Sequence, residues 1–379
     1  MRILFCSQNP LLKELGATKI LIELVEELKI LGWTCKIATP LEIRPEQNYE
    51  KRFNPILFAV SLKDYLLKYA SEYDVVEYDH LYLPYPRTEF CPKTLFVVRE
   101  ALLTHHLMDL SIPLVKNYKS KLQALIMRRF DKSFHDKIMQ LIHITLSQTD
   151  LINVPNYDDK EELIRCGYPQ EKIVVIPYGM SRSNRLIFDS ISSDVPEKPE
   201  VVFVGTFYKR KGSEDFPDIL ENIYNNIPEV KFKLLGTGVN KRDVLAKFPS
   251  RIRNSIEIIP NFPSDELPGL LSDCSIGIFP SYAEGFGFGV LEMLSASIPV
   301  IAYDVPGPPM MLPPEYLVPR GDTKNISLKV IELLKDKTKL KLARIWAKEK
   351  SQQFSWQQIA QETSRIYLER WEKIQTSNI

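Results

Sequence analysis

Short apolar runs alternate with helical patterns along most of this 379-residue chain. Runs rich in β-branched residues are typical of buried strands, and apolar residues at helical spacing between them are typical of crossover helices. A run at 2–7 precedes a helical pattern at 17–31, and the next run is Thr34–Ala38. Further strands are predicted at 74–76, 95–98, 172–176, 201–204, 231–235, 255–259, 275–279 and 298–302. This rhythm predicts an α/β fold of βαβ units with parallel sheets.

The length predicts about two domains at roughly 150 residues each. The segment 181–199 is polar and rich in turn-forming residues, so we expect an interdomain linker there. The predicted division is an N-terminal Rossmann-like domain over 1–180 and a C-terminal one over 200–354, with a terminal helix over 355–379. Open α/β sheets bind ligands at the carboxyl ends of their strands, so two such domains facing a cleft are expected.

Composition excludes several classes of protein. The 49 Lys and Arg against 48 Asp and Glu leave a net charge of +1, which gives no global field for nucleic acid. No stretch approaches the ~18 consecutive apolar residues of a membrane-spanning helix. The N-terminus becomes polar too early for a signal peptide. Five scattered cysteines predict buried thiols in a reducing compartment, so a cytoplasmic location is expected.

Familiar cofactor and nucleophile motifs are missing from the sequence. It contains no P-loop and no G-x-G-x-x-G, so nicotinamide chemistry is disfavoured. It also contains no G-x-S-x-G elbow and no Cys/His cluster at metal-ligand spacing. We therefore expect no cofactor and no metal.

The most informative stretch is 280–292, where a predicted strand runs into a loop with three glycines and then into an apolar helix. Glycines let a ligand approach the backbone closely, and the free N–H groups of a helix start form an anion site. Glu284 lies in the loop and Glu292 lies about one turn inside the helix. Carboxylates accept charge-assisted hydrogen bonds from sugar hydroxyls. Two carboxylates beside an anion site are unfavourable for phosphate but suit hydroxyls such as those of a sugar.

The sequence here resembles the retaining glycosyltransferases of family four, which have the GT-B fold. Their signature is two glutamates separated by seven residues, and Glu284 and Glu292 have that spacing. The resemblance extends over most of the chain, through the Gly16-Ala17 pair and the segments 167–179, 204–212 and 354–356. The last of these resembles the start of the final helix, which in this family crosses back onto the N-terminal domain.

The resemblance implies a role for each matching residue. Glu284 would bind hydroxyls of the donor sugar, Glu292 would bind the ribose, and Lys211 would neutralise the diphosphate leaving group. Glu284, Lys211 and Arg210 are the catalytic candidates that the resemblance implies. The other implied donor-binding positions are Gly16, Gly205, Thr206, Phe286, Gly287, Phe288, Gly289, Asn261 and Phe262.

The sequence departs from the family pattern in two places. The family usually has Arg directly after the glycine at Gly205, whereas this chain has Thr206, and Arg210 is the obvious replacement. The family often has a histidine where this chain has Arg99. Arg99 would face the acceptor or would serve as a structural ion-pair partner, and His105 is a second acceptor-side candidate that also fits an ordinary helix face.

The segment 114–137 combines Lys and Arg with interleaved apolar residues. Such a pattern fits peripheral contact with an anionic membrane, at the inner face, and it fits equally a core helix with a solvated side. The membrane interpretation would favour a lipid-linked acceptor.

These observations favour a metal-independent, retaining glycosyltransferase that moves a hexose from a nucleotide-sugar to a hydroxyl acceptor such as a glycan, a lipid-linked sugar or a small molecule. The resemblance favours a UDP-sugar, with a GDP-sugar next. One alternative is a hydrolase or epimerase that acts on the nucleotide-sugar alone. The other is a non-catalytic protein that binds sugar nucleotides.

Overall fold

Two parallel sheets form the framework of the protein. A computed structural model describes residues 1–11, 16–45, 54–108 and 121–377. Within these residues the chain divides into two compact units, one made of 1–101, 113–177 and 356–379, the other of 102–112 and 178–355. Each unit contains one six-stranded sheet. The α/β class and the parallel pairing predicted from the sequence are confirmed.

The first sheet has the strand order β2-β1-β3-β4-β5-β6. Its strands are β1 (Arg2–Cys6), β2 (Thr34–Ala38), β3 (Val75–Tyr78), β4 (Leu95–Arg99), β5 (Leu151–Val154) and β6 (Ile173–Val175). The helices over this stretch of chain are α1 (Gly16–Ile30), α2 (Pro40–Ile43), α3 (Pro55–Tyr69), α4 (Thr104–Met108), α5 (Lys121–Gln148) and α6 (Tyr157–Arg165). Strands β1 and β3 to β5 are buried along almost their whole length, as expected for a sheet covered on both faces.

The second sheet has the order β12-β11-β10-β7-β8-β9. Its strands are β7 (Glu200–Val204), β8 (Lys231–Leu235), β9 (Ile256–Ile259), β10 (Ile276–Phe279), β11 (Val300–Tyr303) and β12 (Leu317–Val318). The helices that follow α6 are α7 (Arg182–Asp189), α8 (Phe216–Asn226), α9 (Lys241–Leu245), α10 (Leu267–Leu271), α11 (Phe288–Ser295), α12 (Thr323–Lys335), α13 (Lys337–Ser351) and α14 (Trp356–Ser377).

The terminal helix α14 belongs to the first unit, although the second sheet precedes it in the chain. The Trp356 indole nitrogen donates to Glu23 of α1 at 2.6 Å, and Tyr367 is fully buried. The predicted return of the last helix to the N-terminal domain is what the structure has.

The segment 181–199 differs from the expected linker because it is part of the second unit. Ser181 caps α7, and Phe188 on that helix is buried. Two cations of α13 bind the carbonyl oxygens of the turns that follow: Lys348 Nζ contacts Asp189 at 2.8 Å, and Arg344 contacts Ser192 at 3.2 Å. The turns that suggested a linker are therefore held to α13 through their backbone carbonyl oxygens.

Three other details differ from the sequence-based expectations. Strands β5 and β12 were not predicted, because each is a very short run and β5 contains a polar Asn153. The segment 102–112, expected in the first domain, groups with the second unit. Cys166 is exposed, whereas all five thiols were expected to be buried.

No helix in the described part of the chain is long and apolar enough to cross a membrane. The predicted basic segment 114–137 lies outside the described residues from 114 to 120. From 121 to 134 only its helical backbone is described.

Candidate active site in the second unit

The glycine-rich loop predicted to bind the donor follows β10 and leads into α11. Glu284 lies in this loop and is buried, whereas Glu292 lies in the second turn of α11 and is half-buried. Gly287 is the residue before the helix, and its φ of +91° is a left-handed conformation that favours glycine. The loop therefore enters the helix through a turn that the sequence specifies locally.

A second turn, Lys209–Lys211, follows β7 and ends at Gly212. The φ of Gly212 is +78°, and a Cβ at this position would lie 2.1 Å from the carbonyl oxygen of Pro280. A side chain there would thus collide with the backbone of the glycine-rich loop. Gly212 permits the two loops to pack backbone against backbone, which brings two cations close to Glu284.

Glu284 is the centre of an ion-pair cluster. Lys211 Nζ lies 2.5 Å from Glu284 Oε1, and Arg210 Nη1 lies 3.5 Å from the same oxygen. Arg210 Nη1 also donates to the carbonyl oxygen of Ala283 at 2.7 Å. The structure thus brings together the three residues predicted to be catalytic. It also pairs Lys211 directly with Glu284, so a bound diphosphate would compete with this carboxylate for the lysine.

The start of α11 packs closely against the end of β7. A Cβ on Gly289 would lie 2.4 Å from the carbonyl oxygen of Val204, so no larger residue fits without a shift of the backbone. The first N–H groups of an α-helix have no partner within the helix, and they favour anions. Gly205, the residue after Val204, lies at the same edge of the sheet. This edge is suited to hold phosphate near Lys211.

The remaining predicted donor positions divide between this sheet edge and the interior of the loop. Thr206 and Asn261 are exposed after β7 and β9, and the half-buried ring of Phe262 would lie 3.3 Å from a Cβ on Gly236. Strands β7 and β9 flank β8, so these residues share one edge.

In contrast, the Phe286 ring is buried and contacts other aromatic rings, those of Tyr178, Phe288 and Phe354. Its side chain packs the loop, and only its backbone is left for a ligand.

Three other predicted residues lie outside this cluster. Gly16 begins α1, and residues 12–15 before it are outside the described residues. Arg99 donates to Glu77 at 2.8 Å and to the Tyr367 hydroxyl of α14 at 3.2 Å. These contacts are the ones expected if Arg99 is a structural ion-pair partner. His105 lies half-buried on α4, in the segment that groups with the second unit.

Sequence reasoning missed a hydrogen-bonded group beside this site. Asp215 Oδ2 accepts from the hydroxyls of Tyr282 at 2.8 Å and Tyr303 at 2.7 Å. Burial, followed by the Asp215 interaction, raises the pKa of Tyr282 to about 12 and raises that of Tyr303 further. The three residues are 67 and 88 positions apart, so no local motif could reveal them.

A polar cluster in the first unit was also missed. His80 Nδ1 lies 2.5 Å from Glu100 and 3.1 Å from Asp79, after β3 and β4. Among the described residues these three side chains could together hold a metal ion. Burial alone lowers the pKa of His80, but the charges of Glu100 and Asp79 outweigh it and raise the pKa to about 10. The imidazolium that this pKa implies at neutral pH offsets negative charge of the neighbouring carboxylates.

Comparison with known proteins agrees with this geometry. Residues 198–336 match the family model described as glycosyl transferases group 1. This part of the chain is similar to the glycosyltransferase group 1 family. It contains the Lys211 and Glu284 cluster and the whole glycine-rich loop.

Relatives extend the likeness beyond this segment. The chain is 24% identical over 267 residues to the sulfoquinovosyl transferase SQD2 of Arabidopsis thaliana, which covers 65% of this chain and 50% of that protein. The chain spans about half the length of the first curated relatives it matches.

Solved structures show the same fold at low identity. A sucrose-phosphate synthase of Thermosynechococcus elongatus superposes with a TM-score of 0.72 at 18% identity, covering 98% of this chain and 99% of that one. HepE of Anabaena, solved with UDP, gives a TM-score of 0.67 at 16% identity, covering 97% and 99%. The protein has the GT-B fold, and the segment that matches the family model lies within the second unit.

Proposed function

We propose that this protein is a retaining glycosyltransferase that transfers a hexose from a nucleotide-sugar to a hydroxyl acceptor, without a metal. The observation that carries the proposal is the cluster of Lys211, Arg210 and Glu284 at the carboxyl edge of the second sheet, beside the start of α11. A nucleotide-sugar is the ligand whose parts match this set, because its diphosphate needs cations and its sugar hydroxyls need a carboxylate.

The proposed chemistry follows from these charges. The bond between the anomeric carbon and the phosphate oxygen breaks, and its electron pair stays on the diphosphate. Lys211, Arg210 and the N-terminal amides of α11 stabilise that developing charge. Glu284 exchanges its contact with Lys211 for hydroxyls of the donor sugar. The acceptor oxygen bonds to the anomeric carbon on the leaving-group face, which retains the configuration, and its proton passes to the departing phosphate.

Two cations next to the diphosphate also support the proposal that no metal is needed. They supply the charge that a divalent ion would otherwise provide. Turnover in EDTA equal to turnover in Mg²⁺ is the expected result. Loss of activity in EDTA that Mg²⁺ or Mn²⁺ restores would contradict metal independence alone and leave glycosyl transfer standing.

The proposed donor is a UDP-sugar, with a GDP-sugar next. HepE was solved with UDP, and it has the same fold. Glu292 would bind the ribose, Asn261 and Phe262 would lie against the base, and Gly205, Thr206, Gly287 and Gly289 would line the phosphates.

The first unit would bind the acceptor, and the basic segment 114–137 would touch anionic lipid at the inner membrane face. Co-sedimentation with anionic but not neutral vesicles tests the lipid contact.

A thermal-shift panel of UDP-, GDP- and ADP-sugars without metal tests the donor site. A ligand at 100 times its dissociation constant should stabilise the fold by about 2.7 kcal/mol. The shift should occur with one nucleotide class and should be lost in Lys211→Ala. Lys209→Ala is the matched control, because Lys209 is exposed and pairs with Glu214 instead.

Transfer is then measured with the donor that binds, over a panel of sugar, polyol and lipid-linked acceptors. Glu284→Gln should abolish most turnover while the protein remains folded. Free sugar or an epimer formed without any acceptor would favour the hydrolase or epimerase alternative. Donor binding with no turnover would favour the non-catalytic one, and no shift with any donor would overturn the proposal.

A further inference from the structure

The side chain of Asp215 occupies a helix-capping position without performing that role. Asp215 immediately precedes α8, where aspartate commonly accepts a hydrogen bond from the first turn of the helix. Its side chain makes no such bond in the described structure. The carboxylate instead accepts the hydroxyls of Tyr282 and Tyr303 on the same oxygen. A residue that breaks a local rule in this way commonly serves a functional site.

The partners of Asp215 lie on two separate segments of the candidate active site, a loop and the end of a strand. Tyr282 lies two residues before Glu284 in the glycine-rich loop. Tyr303 ends β11, and the segment after it reaches Gly307, whose Cβ would lie 2.9 Å from the backbone of Phe286. Asp215 itself follows the turn that carries Arg210 and Lys211. One carboxylate therefore connects the segment after the Lys209–Lys211 turn, the glycine-rich loop and the end of β11.

Backbone contacts reinforce the link between the Arg210 turn and Tyr282. The Tyr282 N–H donates to the carbonyl oxygen of Arg210 at 2.8 Å, and the Arg210 guanidinium donates to Ala283 at 2.7 Å. The two tyrosine rings meet edge to face with centroids 5.6 Å apart. The position of Glu284 relative to Lys211 thus depends on a small number of hydrogen bonds, and Asp215 accepts two of them.

We propose that Asp215, through Tyr282 and Tyr303, is a positioning residue that fixes the distance between Glu284 and Lys211. It touches neither the sugar nor the diphosphate. This inference rests on the proposed function for its kinetic consequence, but its structural part holds for the protein without any donor. Misplacement of a reacting group by about 1 Å can cost on the order of 100-fold in rate. A carboxylate that positions Glu284 and Lys211 therefore controls turnover.

Hydrogen exchange without ligand tests the structural part. In Asp215→Ala and Tyr282→Phe, the backbone amide at position 282 should exchange at least about tenfold faster than in the unmodified protein. Tyr316→Phe is the matched control, because Tyr316 lies in the same unit and its ring packs against Trp346. Unchanged exchange at Tyr282 in Asp215→Ala would overturn the inference, whatever the protein transfers.

Steady-state kinetics tests the consequence for turnover. Asp215→Ala should lower kcat by about 100-fold with a smaller rise in donor KM, and Asp215→Asn should recover part of that loss because it keeps an acceptor oxygen. Tyr303→Phe should cost less than Tyr282→Phe, since Tyr303 is held by its strand. An Asp215→Ala variant with full kcat would overturn the inference. Faster exchange at Tyr282 in a protein that binds no sugar nucleotide would refute the proposed function and retain Asp215 as the anchor of the loop.

Discussion

Gly212 shows how far one residue determines this site. Its left-handed φ and its contact with Pro280 leave no room for a Cβ. Gly212→Ala should therefore destabilise the protein by about 1–3 kcal/mol and separate Lys211 from Glu284. Chemical denaturation measures the first effect, and donor thermal shift measures the second.

Gly269→Ala is the control for that substitution. Gly269 lies in α10, and a Cβ there would meet no heavy atom within 4 Å. Alanine in a helix should leave stability unchanged or raise it by up to about 1 kcal/mol. Equal losses in both variants would show that the contact with Pro280 does not constrain the loop.

His80 makes the stability of the first unit depend on pH. Its pKa of about 10 in the folded protein exceeds the ordinary value of 6.5. The preferential protonation of His80 in the folded protein stabilises the folded state. This stabilisation is fully present below pH 6.5 and is lost as the pH rises through 10. Burial raises the pKa of Glu100 to about 7 despite the opposing charge of His80. A carboxyl with a raised pKa also lowers the stability of the folded state as the pH rises.

The free energy of unfolding should thus fall by more than about 1.4 kcal/mol between pH 7 and pH 10, the equivalent of one pKa unit. The slope should flatten in His80→Gln. It should persist in His143→Gln, because His143 Nδ1 pairs with the Tyr168 hydroxyl. Urea titrations at each pH give the slopes, and the same slope with and without His80 would contradict the assignment.

At the scale of elements, the buried hydroxyl of Tyr367 holds the terminal helix α14 to the first sheet. The Tyr367 hydroxyl donates to Glu77 at 2.6 Å and accepts from Asn153 and Arg99, both at 3.2 Å. These three partners lie on β3, β5 and β4. One tyrosine on α14 thus ties the helix to three adjacent strands of the first sheet.

Tyr367→Phe should cost about 1–3 kcal/mol, because it leaves buried polar groups without their partner. Glu369→Gln, on the exposed side of the same helix, removes only a surface pair with Arg365 and should cost less than about 0.5 kcal/mol. Thermal denaturation compares the two. A neutral Tyr367→Phe would mean that apolar packing alone holds α14.

Helices and strands were predicted correctly where an apolar pattern within the element itself identifies it. Strands β2 and β8 have the bounds expected from their apolar runs, and α1 lies within one residue of its expected limits. Strand β5 was missed because Asn153 interrupts a four-residue run. That amide is fully buried and donates a hydrogen bond to the Tyr367 hydroxyl, which is 214 residues away. No window of sequence contains the reason for its burial.

At the scale of the whole molecule, the two units should respond differently to donor. All the residues proposed to hold the nucleotide, except Gly16, belong to the unit that contains 178–355. Ligand binding stabilises the state that binds it. A saturating nucleotide-sugar should therefore slow amide exchange in 178–355 at least tenfold more than in 1–101. Exchange followed by mass spectrometry with peptides from both units measures this, and stronger protection of 1–101 would place the donor elsewhere.

The sequence by itself determined the α/β class, the parallel strands and the glycine-rich loop, because each depends on residues close together in the chain. The glycine-rich loop and the helix after it also identified Glu284 and Glu292 as candidates, and the family resemblance added Lys211 and Arg210. Only the tertiary structure decided that Lys211 pairs with Glu284, that 181–199 is part of the second unit, and that Asp215 anchors two tyrosines. Each of these depends on atoms that the order of parallel strands brings together from distant positions, and periodicity carries no information about strand order.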